Sequence, residues 1–161
     1  MVPIVRSWRG FTFVELMVTL AIMGVLAVIA VPMIESVIKR QREAELRTAL
    51  MQIREALDAY KKASDQGRIP LKIGESGYPK GLKELVEGVI DAKSPQKQNM
   101  YFLRRIPRDP LNSDSDIPAE ETWGLRSYKS PPDAPRAGDD VFDVYSLSEG
   151  VGLNGIPYKE W

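Results

Sequence analysis

The chain contains no cysteine, so it forms no disulfide and offers no thiolate for nucleophilic or redox chemistry. It contains no histidine either, which removes Ser–His and Cys–His nucleophile pairs and every zinc site built on imidazole. It has no net charge, with 22 Lys and Arg against 22 Asp and Glu, and hence no electrostatic case for nucleic acid as a partner. An active site would have to be built from lysine or carboxylates, and no such constellation is visible. The expectation is a non-enzyme with no catalytic residue and no internal repeat. Its 161 residues suffice for one anchor and one modest domain.

Charge is also missing from one long stretch, Leu16 to Ile34, interrupted only by Thr19, Gly24 and Pro32. A run of that kind meets the ~20 residues needed to cross the hydrocarbon core as a helix. Arg6 and Arg9 precede it, and Lys39, Arg40 and Arg42 follow it. A secretory signal peptide would be shorter and would end at a small-residue cleavage site. Here the run continues into more helix. A buried core helix is the other rival, and nineteen consecutive uncharged residues argue against it. Glu15 stands just inside the apolar segment. An ionisable group at bilayer depth costs ~2.5–3.5 kcal/mol on insertion scales and usually marks function. A simple membrane-tethered binding module would leave Glu15 without a purpose. The residue type and place suggest a segment that later leaves the lipid and meets a positive partner.

At these residues the chain resembles a known family. Gly10-Phe11-Thr12-Phe13-Val14-Glu15-Leu16, behind a short basic leader, is similar to the type III signal of type IV pilins and type II secretion pseudopilins. The resemblance implies that a prepilin peptidase cuts after Gly10 and methylates the new N-terminal Phe11. It implies that Glu15 is the assembly glutamate and Pro32 the helix-kinking proline. Apart from the resemblance, Pro32 removes a backbone donor and crowds the preceding turn, so it should kink or locally melt the helix, and Gly24 weakens it further. Both are tolerated in transmembrane helices.

Residues 1–10 therefore read as a leader, 11–34 as a transmembrane and polymerisation helix, and 35–161 as a globular domain. The helix should continue from Phe11 to about Lys62. At ~1.5 Å per residue that is a rod of roughly 78 Å, more than one small domain can cover. Its second half is amphipathic, with Leu46, Leu50, Ile53, Leu57 and Tyr60 on a stripe flanked by Ala49 and Ala56. Glu43 with Arg47, and Arg54 with Asp58 and Lys62, stand at i,i+4 spacing with opposite signs and read as solvated faces. Gly67, Pro70, Gly74, Gly77 and Pro79 mark a loop. A short helix fits Leu82 to Glu87, and Ile106-Pro107-Arg108-Asp109-Pro110 reads as a rigid turn. Strands are expected at Trp123 to Lys129 and Val141 to Leu147, separated by a Pro-rich loop too long for a tight hairpin. The second strand would place Val141, Tyr145 and Leu147 on one side and Phe142 and Val144 on the other. The fold class is α+β: a long N-terminal helix packed on a small antiparallel sheet, as in type IV pilins.

Gly77-Tyr78-Pro79, Leu103 to Pro110, Trp123 to Tyr128 and Phe142 to Ser146 resemble the major pseudopilin, the G subunit of type II secretion. That resemblance implies a single-pass protein of the bacterial inner membrane with its C-terminal domain in the periplasm. It would polymerise with itself, beside sibling minor pseudopilins and an inner-membrane assembly platform, into a filament that drives protein export across the outer membrane. A subunit of a type IV or DNA-uptake pilus shares the N-terminus and is the alternative. The resemblance also implies calcium in an aspartate-rich C-terminal loop. Calcium takes six to eight oxygen ligands, commonly from several carboxylates. From Leu147 to Tyr158 the only carboxylate is Glu149, and Asp139, Asp140 and Asp143 read as solvated or turn-forming. Calcium remains possible, but no metal ligand is assigned. Tyr158 and Trp161 read as a strap packed on the domain.

Overall fold

The computed structural model describes residues 10–161, so Arg6, Arg9 and all of the leader except Gly10 lie outside the described residues. The chain divides into two compact units, with the boundary after Lys39. Helix α1, Phe13–Asp65, supplies the first unit and the opening of the second. Gly24 and Pro32 both fall inside its bounds, and no break in the helix appears at either.

In the first unit the apolar side chains of α1 point into solvent, as Leu16, Leu20 and Ile22 do. The most apolar stretch is long enough to cross a membrane and none of it is buried. In the second unit the same helix is one-sided. Leu46, Leu50, Ile53, Leu57 and Tyr60 are buried, together with Ala49, Ala56 and Ala63. They meet Leu82, Leu85, Trp123, Val141, Val144 and Tyr158 in one core. Removing a Leu or Ile side chain from water is worth ~1.5–3 kcal/mol, so this stripe is the main reason the helix holds its domain.

Helix α2 is Lys83–Glu87, inside the expected segment. The expected sheet is two separate two-stranded antiparallel ladders: β1 (Val89–Ile90) with β2 (Asn99–Met100), and β3 (Trp123–Arg126) with β4 (Asp143–Ser146). The first ladder was not foreseen, because two-residue strands carry no periodicity. The second starts at Trp123 as expected but is shorter at its loop end for a visible reason. Ser127 N–H donates to Arg136 O, and Ser127 Oγ and Tyr128 N–H both donate to the Asp140 carboxylate. Val141 N–H donates to Pro79 O. The loop thus takes the donors that a longer ladder would need. Within β4, Val144 and Ser146 are the buried pair, whereas Leu147 is exposed. Gly124 stands opposite Tyr145, and a Cβ there would lie 2.3 Å from the ring, so that register requires glycine. Single-turn 3-10 helices at Ala119–Thr122 and Tyr158–Glu160 complete the chain.

The expected turn around Pro107 is anchored through Asp109. Its Oδ2 accepts from Ser146 Oγ at 2.5 Å and its Oδ1 from Leu111 N–H at 2.8 Å. Trp123 Nε1 donates to Pro107 O at 2.8 Å.

Candidate functional site

The motif residues collect at the start of α1. Thr12 precedes the first helical residue and Glu15 lies in the first turn. Thr12 N–H and Thr12 Oγ1 both donate to Glu15 Oε2 at 2.9 Å, and Glu15 N–H donates to Thr12 Oγ1 at 3.2 Å. This is a reciprocal capping box, which satisfies donors that a helix start leaves without partners. Glu15 therefore has a local role within the chain, which corrects the expectation that a monomeric reading leaves it idle. The signal was legible as Thr-x-x-Glu ahead of an apolar run.

Gly10 and Phe11 lie just before this cap. Phe11 is 82% exposed. At Gly10 an added Cβ would meet nothing within 4 Å among the described residues. Among the described residues nothing packs closely enough to ask for glycine at that position. The exposed bond between Gly10 and Phe11, the cap at Thr12 and the apolar helix behind it form one contiguous arrangement. Pro32 lies well along the same helix and is not brought to this cluster.

A second group of polar side chains, expected on solvated faces, lies instead against the C-terminal segment on the globular part of α1. Glu43 is buried, and its Oε1 accepts from Leu153 N–H at 2.8 Å and from Tyr158 Oη at 2.9 Å. Burial and this bond push the Tyr158 hydroxyl up to about 12. Arg47 lies over the Trp161 ring, 4.4 Å from its centroid. Arg54 Nε donates to Asp143 Oδ1 at 2.8 Å, while its Nη2 donates to Trp161 O at 2.7 Å and Val144 O at 3.2 Å. The i,i+4 pairs Glu43–Arg47 and Arg54–Asp58 are thus replaced by contacts from more than eighty residues away. Tyr158 and Trp161 do form a strap on the domain, their rings edge to face at 5.1 Å.

The residues near the C-terminus do not fit a calcium site. Glu149 is exposed. Asp143 is paired with Arg54 at 2.8 Å and Arg126 at 3.6 Å. Burial pushes the Asp140 carboxyl up, but bonds from Ser127, Ser76 and the Tyr128 N–H more than offset that and hold it below its usual range. Among the described residues no three acids gather into a group that could hold a metal ion.

Residues 9–31 match the family described as the prokaryotic N-terminal methylation motif. The chain is 30% identical to the type II secretion system core protein G of Klebsiella pneumoniae over 141 residues, covering 83% of this chain and 91% of that protein. It is 30% identical to the protein of the same name from Pectobacterium carotovorum subsp. carotovorum over 136 residues, covering 83% and 82%. It is 28% identical to that of Pseudomonas aeruginosa over 164 residues, covering 97% and 96%. No solved structure matches the chain.

Proposed function

The chain belongs to the type II secretion system core protein G family, and from that premise we propose how its residues perform a pseudopilin's work. The protein is a structural subunit of a secretion pseudopilus. Prepilin peptidase cuts between Gly10 and Phe11 and methylates the Phe11 amine. The observation that carries this reading is the exposed, side-chain-free Gly10 immediately ahead of a capped apolar helix. No described residue packs against Gly10, which fits a glycine that serves an enzyme surface approaching the backbone closely. The basic residues of the leader hold it on the cytoplasmic side. Helix α1 anchors the precursor in the inner membrane, single-pass, and the domain beyond Lys39 faces the periplasm.

Cleavage gives Phe11 a positive amine a short distance from Glu15. In the filament Glu15 of one subunit meets the Phe11 amine of a neighbour, which sets the register of helices whose packing is otherwise apolar and non-directional. Pro32 lets the helix adjust along its length. The partners are other copies of this chain, sibling minor pseudopilins, the peptidase and an inner-membrane assembly platform, and the filament drives protein export across the outer membrane. Intact-mass analysis of membrane-extracted protein tests the first step. The expected species is Phe11 to Trp161 plus one methyl group. Recovery of the full-length chain alone, from cells with an active prepilin peptidase, overturns the reading.

A further inference from the structure

The C-terminal segment of this chain is built around an anion. A calcium loop turns carbonyl and carboxylate oxygens inward, because the ion is positive. Here the groups that converge are donors: Leu153 N–H and Tyr158 O–H point at one carboxylate oxygen, Glu43 Oε1. Two of the loop's own acceptors are engaged within the loop and strap. Ile156 O accepts from Gly152 N–H at 2.9 Å and from Trp161 Nε1 at 3.2 Å, and Asn154 Oδ1 accepts from Ile156 N–H at 3.1 Å. Around Gly152 space is closed as well. A Cβ on Gly152 would lie 2.4 Å from the Trp161 ring and 2.6 Å from Asn154 Oδ1.

We infer that Glu43 seats the C-terminal strap in place of a metal ion, with Arg47 and Arg54 completing the clasp from the same helix. Glu43, Arg47 and Arg54 follow each other at steps of four and seven, so one face of α1 presents all three. Glu43 holds the middle of the strap. Arg47 covers the Trp161 ring, and Arg54 ties the last carbonyl to β4 through Val144 O and Asp143. Glu43 is only 6% exposed, so its two bonds form where water competes little. Glu43 is a positioning residue. What it positions is a strap whose outward side chains, Leu147, Leu153 and Ile156, are exposed.

The test uses the full-length chain in detergent, melted with tryptophan fluorescence as the readout, in EDTA and in millimolar calcium chloride. The wild-type melting temperature should differ by less than about 2 °C between the two conditions, since a ligand that binds only the folded state must raise it. Glu43→Ala should lower it by about 5 °C or more in both. Glu43→Gln should recover at least half of that loss, because the amide oxygen can accept both bonds. A wild-type rise above about 5 °C with calcium overturns the inference. So does a Glu43→Ala protein that melts like wild type, or a Glu43→Gln protein no better than Glu43→Ala. If Glu43→Ala does not fold, Tyr158→Phe removes one donor only and should give a smaller drop that calcium does not reverse. Reversal by calcium would refute the inference. None of these outcomes depends on peptidase processing, so the inference and the pseudopilin reading fail separately.

Discussion

Replacing Asp109 with alanine should destabilise the globular unit more than any change at its surface. Asp109 is 1% exposed and joins three segments. Oδ2 accepts from Ser146 Oγ in β4, Oδ1 from Leu111 N–H, and the Asp109 N–H donates to Thr122 Oγ1 at 3.1 Å. Thr122 in turn donates to Ala119 O at 2.6 Å. Alanine removes both carboxylate acceptors and leaves the buried Ser146 hydroxyl and the half-buried Leu111 N–H without them. Bonds to a charged group contribute ~1.5–3 kcal/mol each. The gain from no longer burying a carboxylate offsets part of that, so the net loss is about 3 kcal/mol. Asp109→Asn keeps Oδ1 for Leu111 N–H, and its amide N–H can donate to Ser146 Oγ if that hydroxyl turns to accept. Its cost should be about 1 kcal/mol, the size of one neutral hydrogen bond. Urea unfolding of the full-length chain in detergent, followed by tryptophan fluorescence, reads the difference as a shift in midpoint at constant slope. Equal midpoints for Asp109→Ala and Asp109→Asn would refute the reasoning, because acceptor geometry would then carry no energy.

Two further outcomes are expected. Asp91 has its carboxyl held below the usual carboxylate range, first by its bonds from Arg68 at 2.6 and 3.0 Å. A depressed folded-state value means the contribution is present above the unfolded value of ~3.9 and is lost as pH falls through the folded one. Acid unfolding followed by circular dichroism should therefore be less steep below pH ~4 in Asp91→Asn than in wild type, and identical profiles would contradict this. At the N-terminus, Glu15→Leu and Glu15→Gln separate two roles of one residue. Glutamine preserves the capping geometry with Thr12 but carries no charge, so if Glu15 pairs with a neighbour's amine both variants should be cleaved yet give few filaments by electron microscopy. Normal filament yield from cleaved Glu15→Gln would leave only the cap.

The sequence made the core of the fold legible because the relevant information there is local. Leu46, Leu50, Ile53, Leu57 and Tyr60 recur at helical spacing, and a stripe of that kind can only be buried on one side. The structure buries each of them. The apolar run was likewise legible as one helix long and apolar enough to cross a membrane. The ladder β1–β2 was illegible for the opposite reason. Val89–Ile90 and Asn99–Met100 are too short for alternation, and their neighbourhood is set by Phe102 and Leu103, whose N–H groups both donate to Leu85 O. Strand ends were misplaced where a loop donor or acceptor competed with the ladder, as Asp140 does at Ser127 and Tyr128.

The charges on α1 show where a helical pattern stops being informative. Glu43 with Arg47 and Arg54 with Asp58 have the spacing of exposed ion pairs, each worth only ~0.2–0.5 kcal/mol on a helix. That is less than one bond to a charged group shielded from water. Once the chain's last fifteen residues return to α1, Leu153 N–H, Tyr158 Oη and the Trp161 carbonyl outbid the local partners for Glu43 and Arg54. A sequence pattern can state that a charge is available on a helix face, but not which distant segment claims it. At Glu15 the outcome differs because its partner is three residues away. Thr12 and Glu15 cap the helix from within the motif itself, so an ionisable side chain can be held in order at the start of an apolar helix before any other subunit is present. If Glu15 pairs with a neighbour's amine, as proposed, assembly has only to exchange a hydroxyl and an amide donor for a charged one.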